Sequence, residues 1–155
     1  MEKIDSLNQV AEFHRTFNAP ILENPQIPSV ERCNLRIALL QEELNELKQA
    51  IEDNDLVEIA DALCDLQYVL SGAVLEFGLG EKFVELFNEV QRSNMSKACD
   101  TELQAQETVE HYKAKGEEAF YEKSGNKFNV HRISDNKVLK NKYYSAADLK
   151  SIIEK

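Results

Sequence analysis

Apolar residues recur along this chain mainly at steps of three and four. The clearest run is Cys33, Ile37, Leu40, Leu44, Leu47 and Ile51, with steps of 4, 3, 4, 3 and 4, which places all six on one helical face. Ser29 stands where a cap is needed, and Asp53-Asn54-Asp55 reads as a turn. The spacing therefore predicts a helix from Ser29 to about Asp53. A second long helix runs from about Leu56 to Phe77, with Ile59, Leu63, Leu66 and Leu70 on one face, and Gly78-Leu79-Gly80 breaks it. Upstream, Ile4, Leu7, Val10, Ala11 and Phe17 predict a first helix over 3–17. A loop over 18–28 follows and holds every proline. Downstream, Phe83, Leu86, Phe87 and Val90 predict an inward face for a fourth helix over about 81–97. Asp100-Thr101 can cap a fifth, to about residue 115. After Gly125 the pattern changes. Phe128, Val130 and Arg132 alternate with polar or basic neighbours, Ser134-Asp135-Asn136 turns, and Val138-Leu139 follow, which predicts a short hairpin. Ser145-Ala146-Ala147-Asp148 has the form of a capping box opening a short terminal helix. The expectation is one all-α domain over 1–155: a bundle of four or five helices (about 3–115) with a C-terminal appendage (about 125–155) carrying a short β-hairpin.

Composition agrees with a helical reading: 155 residues contain only five glycines and three prolines, well below ordinary usage. Charge narrows the partners. Twenty-eight acids against 18 lysines and arginines give a net charge of −10. That excludes a basic face for nucleic acid and attraction to anionic membranes. No apolar run is long enough to span a bilayer, and Met1-Glu2-Lys3-Ile4-Asp5 lacks the pattern of a secretory signal. Cys33, Cys64 and Cys99 are odd in number and form no CxxC pair, which reads as reduced thiols of a cytoplasmic protein. Cys33 and Cys64 lie within apolar patterns, where they are expected to act as small hydrophobes.

Candidate chemistry comes from carboxylates. Glu43 and Glu46 are three apart on the second helix, and Glu58 and Asp61 are three apart on the third, with Asp65 four further on. Residues three or four apart share a helical face. A short turn joins the helices, so they should pack antiparallel and bring the two pairs together. Carboxylates so close raise one another's pKa, and a divalent cation resolves the conflict. An all-oxygen ligand set selects Mg²⁺ or Mn²⁺, and four acids can serve two ions, an arrangement suited to displacement at phosphorus. The competing reading is a solvated acidic face, with Glu58 serving a capping box headed by Asp55. None of His14, His111 or His131 follows a glutamate by three residues, as a di-iron bundle would require, so the histidines read as structural or exposed. The chain has no G-x-S-x-G, phosphate-binding glycine loop or Cys/His zinc spacing.

The words Gln41-Glu42-Glu43-Leu44-Asn45-Glu46-Leu47 and Glu58-Ile59-Ala60-Asp61-Ala62-Leu63-Cys64-Asp65 resemble the signature of the all-α nucleoside triphosphate pyrophosphatases. That group includes MazG-like proteins, dimeric dUTPases and phosphoribosyl-ATP pyrophosphatase. Glu89-Val90-Gln91-Arg92-Ser93-Asn94-Met95-Ser96-Lys97 is similar to the segment that closes the family's fourth helix. Lys137-Val138-Leu139-Lys140 before Tyr143-Tyr144 is similar to the tail of some MazG-like members. The strong part covers about residues 30–97. The 11 residues between Glu46 and Glu58 are at the short end for the family, which shortens the turn and leaves both pairs intact. The resemblance implies a Mg²⁺-dependent enzyme that cleaves a (deoxy)nucleoside triphosphate between the α and β phosphates, giving a monophosphate and pyrophosphate, in nucleotide-pool housekeeping. It implies Glu43, Glu46, Glu58 and Asp61 as metal ligands and Glu42 as the group that activates water. Asn94 and Lys97 match substrate contacts, although a helix cap and dipole compensation are the plain alternatives for them. Asp65 is a fifth acid of the metal site, a partner for Lys97, or exposed. Lys140, Tyr143 and Tyr144 can close over the nucleotide. Tyr68 can stack on a base or belong to the core, and Arg92 can reach phosphate or form a surface ion pair. The resemblance also implies a homodimer or homotetramer. The alternative is a non-catalytic nucleotide-binding or oligomeric regulator with the same fold. A degenerate protein of that kind is expected to lose an acid, and all four are present.

Overall fold

The computed structural model describes residues 4–155. They gather into two compact units, residues 4–83 and Val84–Lys155.

The first unit contains α1 (Ser6–Thr16), α2 (Val30–Glu52) and α3 (Leu56–Glu76), followed by a single 3₁₀ turn, Gly80–Lys82. The boundaries follow from capping. The Ser29 hydroxyl accepts the Arg32 N–H, and Asp55 Oδ1 accepts the Val57 and Glu58 N–H groups at 2.9 and 3.2 Å. Between Glu52 and Leu56 the chain reverses through Asn54 at a φ of 54°, a conformation asparagine tolerates better than most residues. So short a turn makes α2 and α3 an antiparallel pair. Val10 and Ala11 of α1 pack on Leu75 and Ile21 to form the apolar core of this unit. The proline-bearing loop returns along the end of α3, with Leu22 N–H bonded to the Leu75 carbonyl and Gln26 N–H to that of Phe77. Gly78 makes this approach possible: its φ is +68°, and a Cβ there would lie 2.0 Å from the Asn24 oxygen.

Burial departs from the apolar comb. Ile37, Leu44 and Ile51 of α2 and Leu63 and Leu70 of α3 are exposed, as are Ile4 and Phe17 beside α1. Cys64, expected to act as a small buried hydrophobe, is exposed as well. The buried positions are Arg36 and Ala50 on α2 and Ala62, Ser71, Gly72, Val74, Leu75 and Glu76 on α3. The helices meet through small residues and an ion cluster, which leaves the larger apolar side chains outside. In that cluster the Glu76 carboxylate is 1% exposed and receives hydrogen bonds from Arg32 and Arg36. Arg36 NH2 also lies 3.4 Å from His14 Nε2, and His14 Nδ1 is 2.8 Å from the Pro20 carbonyl. Gly72 leaves room for it, since a Cβ there would sit 2.7 Å from the Arg36 guanidinium.

The second unit contains α4 (Phe83–Met95, its first residue the last of the preceding unit), α5 (Glu102–Lys113), β1 (Ala119–Ser124), β2 (Lys127–Arg132) and α6 (Leu149–Ile153). The mostly helical chain with one small antiparallel hairpin is the expected architecture, with shifted details. The strand partner of β2 is β1, paired from Ala119↔Arg132 to Ser124↔Lys127, and the turn falls at Gly125 with a φ of +59°. Phe120 and Tyr121 stand side by side in β1, so no clean alternation marked it in the sequence. The expected turn at 134–136 does form. It returns Val138 to a bridge with His131 and brings the Leu139 N–H to the Val130 carbonyl at 2.8 Å. Cys99, Ala105, Val130 and Leu139 form the buried core of this unit. On α4 Leu86 is buried as expected, whereas Phe87 and Val90 are exposed. The cap of α6 is Asp148, whose carboxylate accepts the Ser151 N–H and hydroxyl. Ser145 instead gives its N–H to Ser96 Oγ. Among the described residues no single helix is long and apolar enough to cross a membrane.

Candidate functional site

The register of α2 on α3 decides which acids meet. Arg32 pairs with Glu76, and Arg36 passes Gly72. Continuing that antiparallel step toward the turn sets Glu43 opposite Asp65 and Glu46 opposite Asp61 and Ala62. The electrostatics agree. Burial, followed by the charges of Asp65, Glu46, Glu42 and Asp61, pushes the Glu43 carboxyl above its usual range. Its Oε2 is buried with no hydrogen-bond partner, an unstable situation for an anionic oxygen.

Nearer the turn, Glu46 and Glu58 line one cavity of about 360 Å³ together with Gln49, Ala50, Asp53 and Asp55. Glu58 is a capping residue only in part. Asp55 receives its N–H, but the Asp55 N–H goes to the Ala50 carbonyl, so the cap does not occupy the Glu58 carboxylate. Glu43, Glu46, Glu58 and Asp61 thus follow one strip between α2 and α3, with Glu46 common to the acids around Glu43 and those at the turn. Asp65 extends the strip and stands beside Glu43. Glu42 is near enough to act on Glu43 as well.

Among the described residues, no three His, Cys, Asp or Glu side chains already enclose a point where one ion would sit. The donor chemistry fits a hard divalent ion: the orphaned oxygen of Glu43 is surrounded by carboxylates, with no imidazole or thiol among the charges that act on it.

The residues expected to touch substrate lie in the second unit. Lys97 Nζ donates to Asn94 Oδ1 at 2.8 Å, just beyond the end of α4. Lys140 Nζ stands 4.4 Å from the centre of the Tyr144 ring, a cation–π distance, and the Tyr144 hydroxyl is 2.9 Å from Ser93 Oγ. Tyr143 turns elsewhere, its hydroxyl donating to Glu107 at 2.6 Å. Arg92 is held in a two-pronged pair with Glu89, both bonds 2.7 Å. The hydrogen bond from Arg92 and that from the Asp148 N–H pull the Glu89 carboxyl down to about 2. Of the two readings of Arg92, the geometry gives the ion pair. Tyr68 meets Phe13 edge-on with ring centres 5.6 Å apart, the contact of a packing residue.

Hydrophobic periodicity does not reveal the Arg32–Arg36–Glu76–His14 cluster. Its signal was Glu76 itself, an acid ending an otherwise apolar stretch, with two arginines four apart on the facing helix. Asn141, buried and tied into the tail's fold, carries no local signal in the sequence.

Comparison with known proteins gives two findings. A family model described as phosphoribosyl-ATP pyrophosphohydrolase matches residues 10–94, a span that contains every acid of the strip and Asn94. The chain is also similar to an uncharacterized protein, L479, of Acanthamoeba polyphaga mimivirus. The two are 25% identical over 249 aligned positions, covering 99% of this chain and 97% of that protein.

Proposed function

The chain belongs to the phosphoribosyl-ATP pyrophosphohydrolase family, and on that premise we propose that it is a Mg²⁺-dependent nucleoside triphosphate pyrophosphohydrolase. Its reaction splits a (deoxy)nucleoside triphosphate between the α and β phosphates, releasing a monophosphate and pyrophosphate and so clearing surplus or non-standard nucleotides. The observation that carries this reading is the buried, unpartnered Glu43 oxygen among Asp65, Glu46, Glu42 and Asp61, inside the segment that the family model matches.

Glu43, Glu46, Glu58 and Asp61 would hold Mg²⁺, or Mn²⁺ in its place, with Asp65 beside them. Bound there, the ion makes water a better nucleophile and offsets phosphate charge. Glu42, next to Glu43 in the chain, takes up the proton of the attacking water as general base. Lys97 contributes a point charge for phosphate, and Asn94 a donor and an acceptor for sugar or base. Lys140 and Tyr144 add a second cation and an aromatic face. An acidic protein would repel a triphosphate, and the cation reverses that sign locally. The open side chains of Ile37, Leu44, Ile51, Leu63 and Leu70 are the material of a subunit contact, which supports a homodimer or homotetramer.

A pyrophosphate-release screen over the common and damaged nucleoside triphosphates, with Mg²⁺ and with chelator, tests the reading. Release that needs the metal, from at least one nucleotide, is the expected result. No release from any of them would refute it.

A further inference from the structure

We infer that Asn141 is a positioning residue for phosphate binding. It fixes the tail against the end of α4 and thereby holds Lys97 and Lys140 on one surface. The inference rests on the proposed role of Lys97 as a phosphate contact and extends it to a residue outside the acidic strip.

Asn141 is buried, and its polar groups are almost fully committed. The backbone N–H donates to the Lys97 carbonyl at 3.0 Å. The side-chain Nδ2 donates to the next carbonyl, that of Ala98, at 3.1 Å. Oδ1 accepts the Tyr143 N–H at 3.0 Å, and the backbone carbonyl accepts the Tyr144 N–H at 2.8 Å. One residue therefore grips the Lys97 and Ala98 carbonyls shortly after α4 and also shapes the turn that presents Tyr144. The bond to the Lys97 carbonyl sets the Lys140–Asn141 peptide beside Lys97. The two lysines then rise from neighbouring main-chain positions, one steadied by Asn94 and the other by the Tyr144 ring. The far side of the turn is secured by the Tyr144 hydroxyl on Ser93 and by Ser145 on Ser96. Two lysines carried by neighbouring main-chain segments suit a polyphosphate, which a single surface lysine binds poorly. A long lysine that loses its anchoring also loses affinity through the added cost of ordering it.

The probe is inorganic tripolyphosphate with Mg²⁺, titrated calorimetrically into the full chain and its variants, with thermal unfolding followed in parallel. Asn141→Asp keeps the acceptor for Tyr143 and sets a carboxylate against the Ala98 carbonyl. Its affinity for tripolyphosphate should fall by roughly tenfold or more, from the lost hydrogen bond and the added negative charge together, so the uncharged Ser93→Ala variant decides whether positioning is the cause. Ser93→Ala, which leaves Asn141 intact and frees only the Tyr144 hydroxyl, should fall roughly threefold, and it decides the matter if Asn141→Asp does not fold. A lower melting temperature with unchanged affinity in both variants would overturn the inference, because a merely structural asparagine behaves that way. Lys97→Ala separates the two levels of the claim. If it leaves affinity unchanged, the phosphate role of Lys97 falls and this inference falls with it. If it weakens binding while the Asn141 and Ser93 variants do not, only the positioning role is lost. A wild-type chain that does not bind tripolyphosphate overturns both.

Discussion

Glu76→Gln removes one charge from a carboxylate that is 1% exposed and bridges two guanidinium groups. Breaking a buried ion pair on one side costs about 3–5 kcal/mol, mostly because the partner charge is stranded. The two arginines differ in how far they are stranded. The Arg32 side chain is 34% exposed and can turn to water, whereas that of Arg36 is 10% exposed and confined between His14 and Gly72. Only one charge is truly left without compensation, so the low end, about 3 kcal/mol, is expected. For a chain of this size that lowers the melting temperature by about 6–12 °C. The pH dependence carries a second signature. Burial pushes the Glu76 carboxyl up, but the hydrogen bonds and charges of Arg32 and Arg36 outweigh it and hold the group below the usual 4.5. The folded chain therefore binds fewer protons than the unfolded chain below 4.5. This stabilisation is complete above 4.5 and is lost as pH falls through the native value. Thermal and urea unfolding, followed by far-UV circular dichroism from neutral to acid pH, measure both effects. The variant should lose part of the acid sensitivity along with the stability. A loss under about 1 kcal/mol, or an unchanged acid limb, would show that the cluster does not hold α2 against α3 as argued.

Three further outcomes are expected. Glu43→Gln should abolish pyrophosphate release yet stabilise the metal-free chain at neutral pH by up to about 1 kcal/mol. The Glu43 carboxyl sits above its usual range, so its cost grows as pH rises through that raised value, and the glutamine variant should not show this growth; equal or lower stability in metal-free melts would count against the clustered charges. Glu42→Gln should lower kcat by about 10²–10⁴-fold while the half-saturating Mg²⁺ concentration stays put, and an equal loss in both would make Glu42 a ligand instead. Gly78→Ala should cost about 2 kcal/mol or more, since it combines a positive φ with a Cβ 2.0 Å from the Asn24 oxygen; a melting temperature near wild type would refute the close approach of the loop.

Helix periodicity and capping made α2 and α3 legible almost to the residue, because Ser29, Asp53 and Asp55 act locally. The acids were legible for the same reason: spacing of three and one short turn dictate which carboxylates face each other. What spacing could not give was the side of each helix that is buried. The comb from Cys33 to Ile51 is mostly open, while the buried positions include Arg36 and Glu76, charges that a pattern reading assigns to solvent and that become buriable only as a group. The hairpin was half legible. Asn136 marked a real turn, but β1 pairs through backbone groups whose partner no local pattern announces. Asn141 was invisible because the bonds that fix it reach Lys97, Ala98 and Thr108, all far away in the chain.

Phosphorus NMR of one nucleoside triphosphate incubated with Mg²⁺, for the wild-type chain and for Glu43→Ala side by side, reads both the bond that is cleaved and its dependence on the acidic strip. Monophosphate and pyrophosphate are expected from the wild type and intact triphosphate from the variant, with helical circular dichroism retained in both. Diphosphate and orthophosphate as products, or undiminished cleavage by Glu43→Ala, would contradict it.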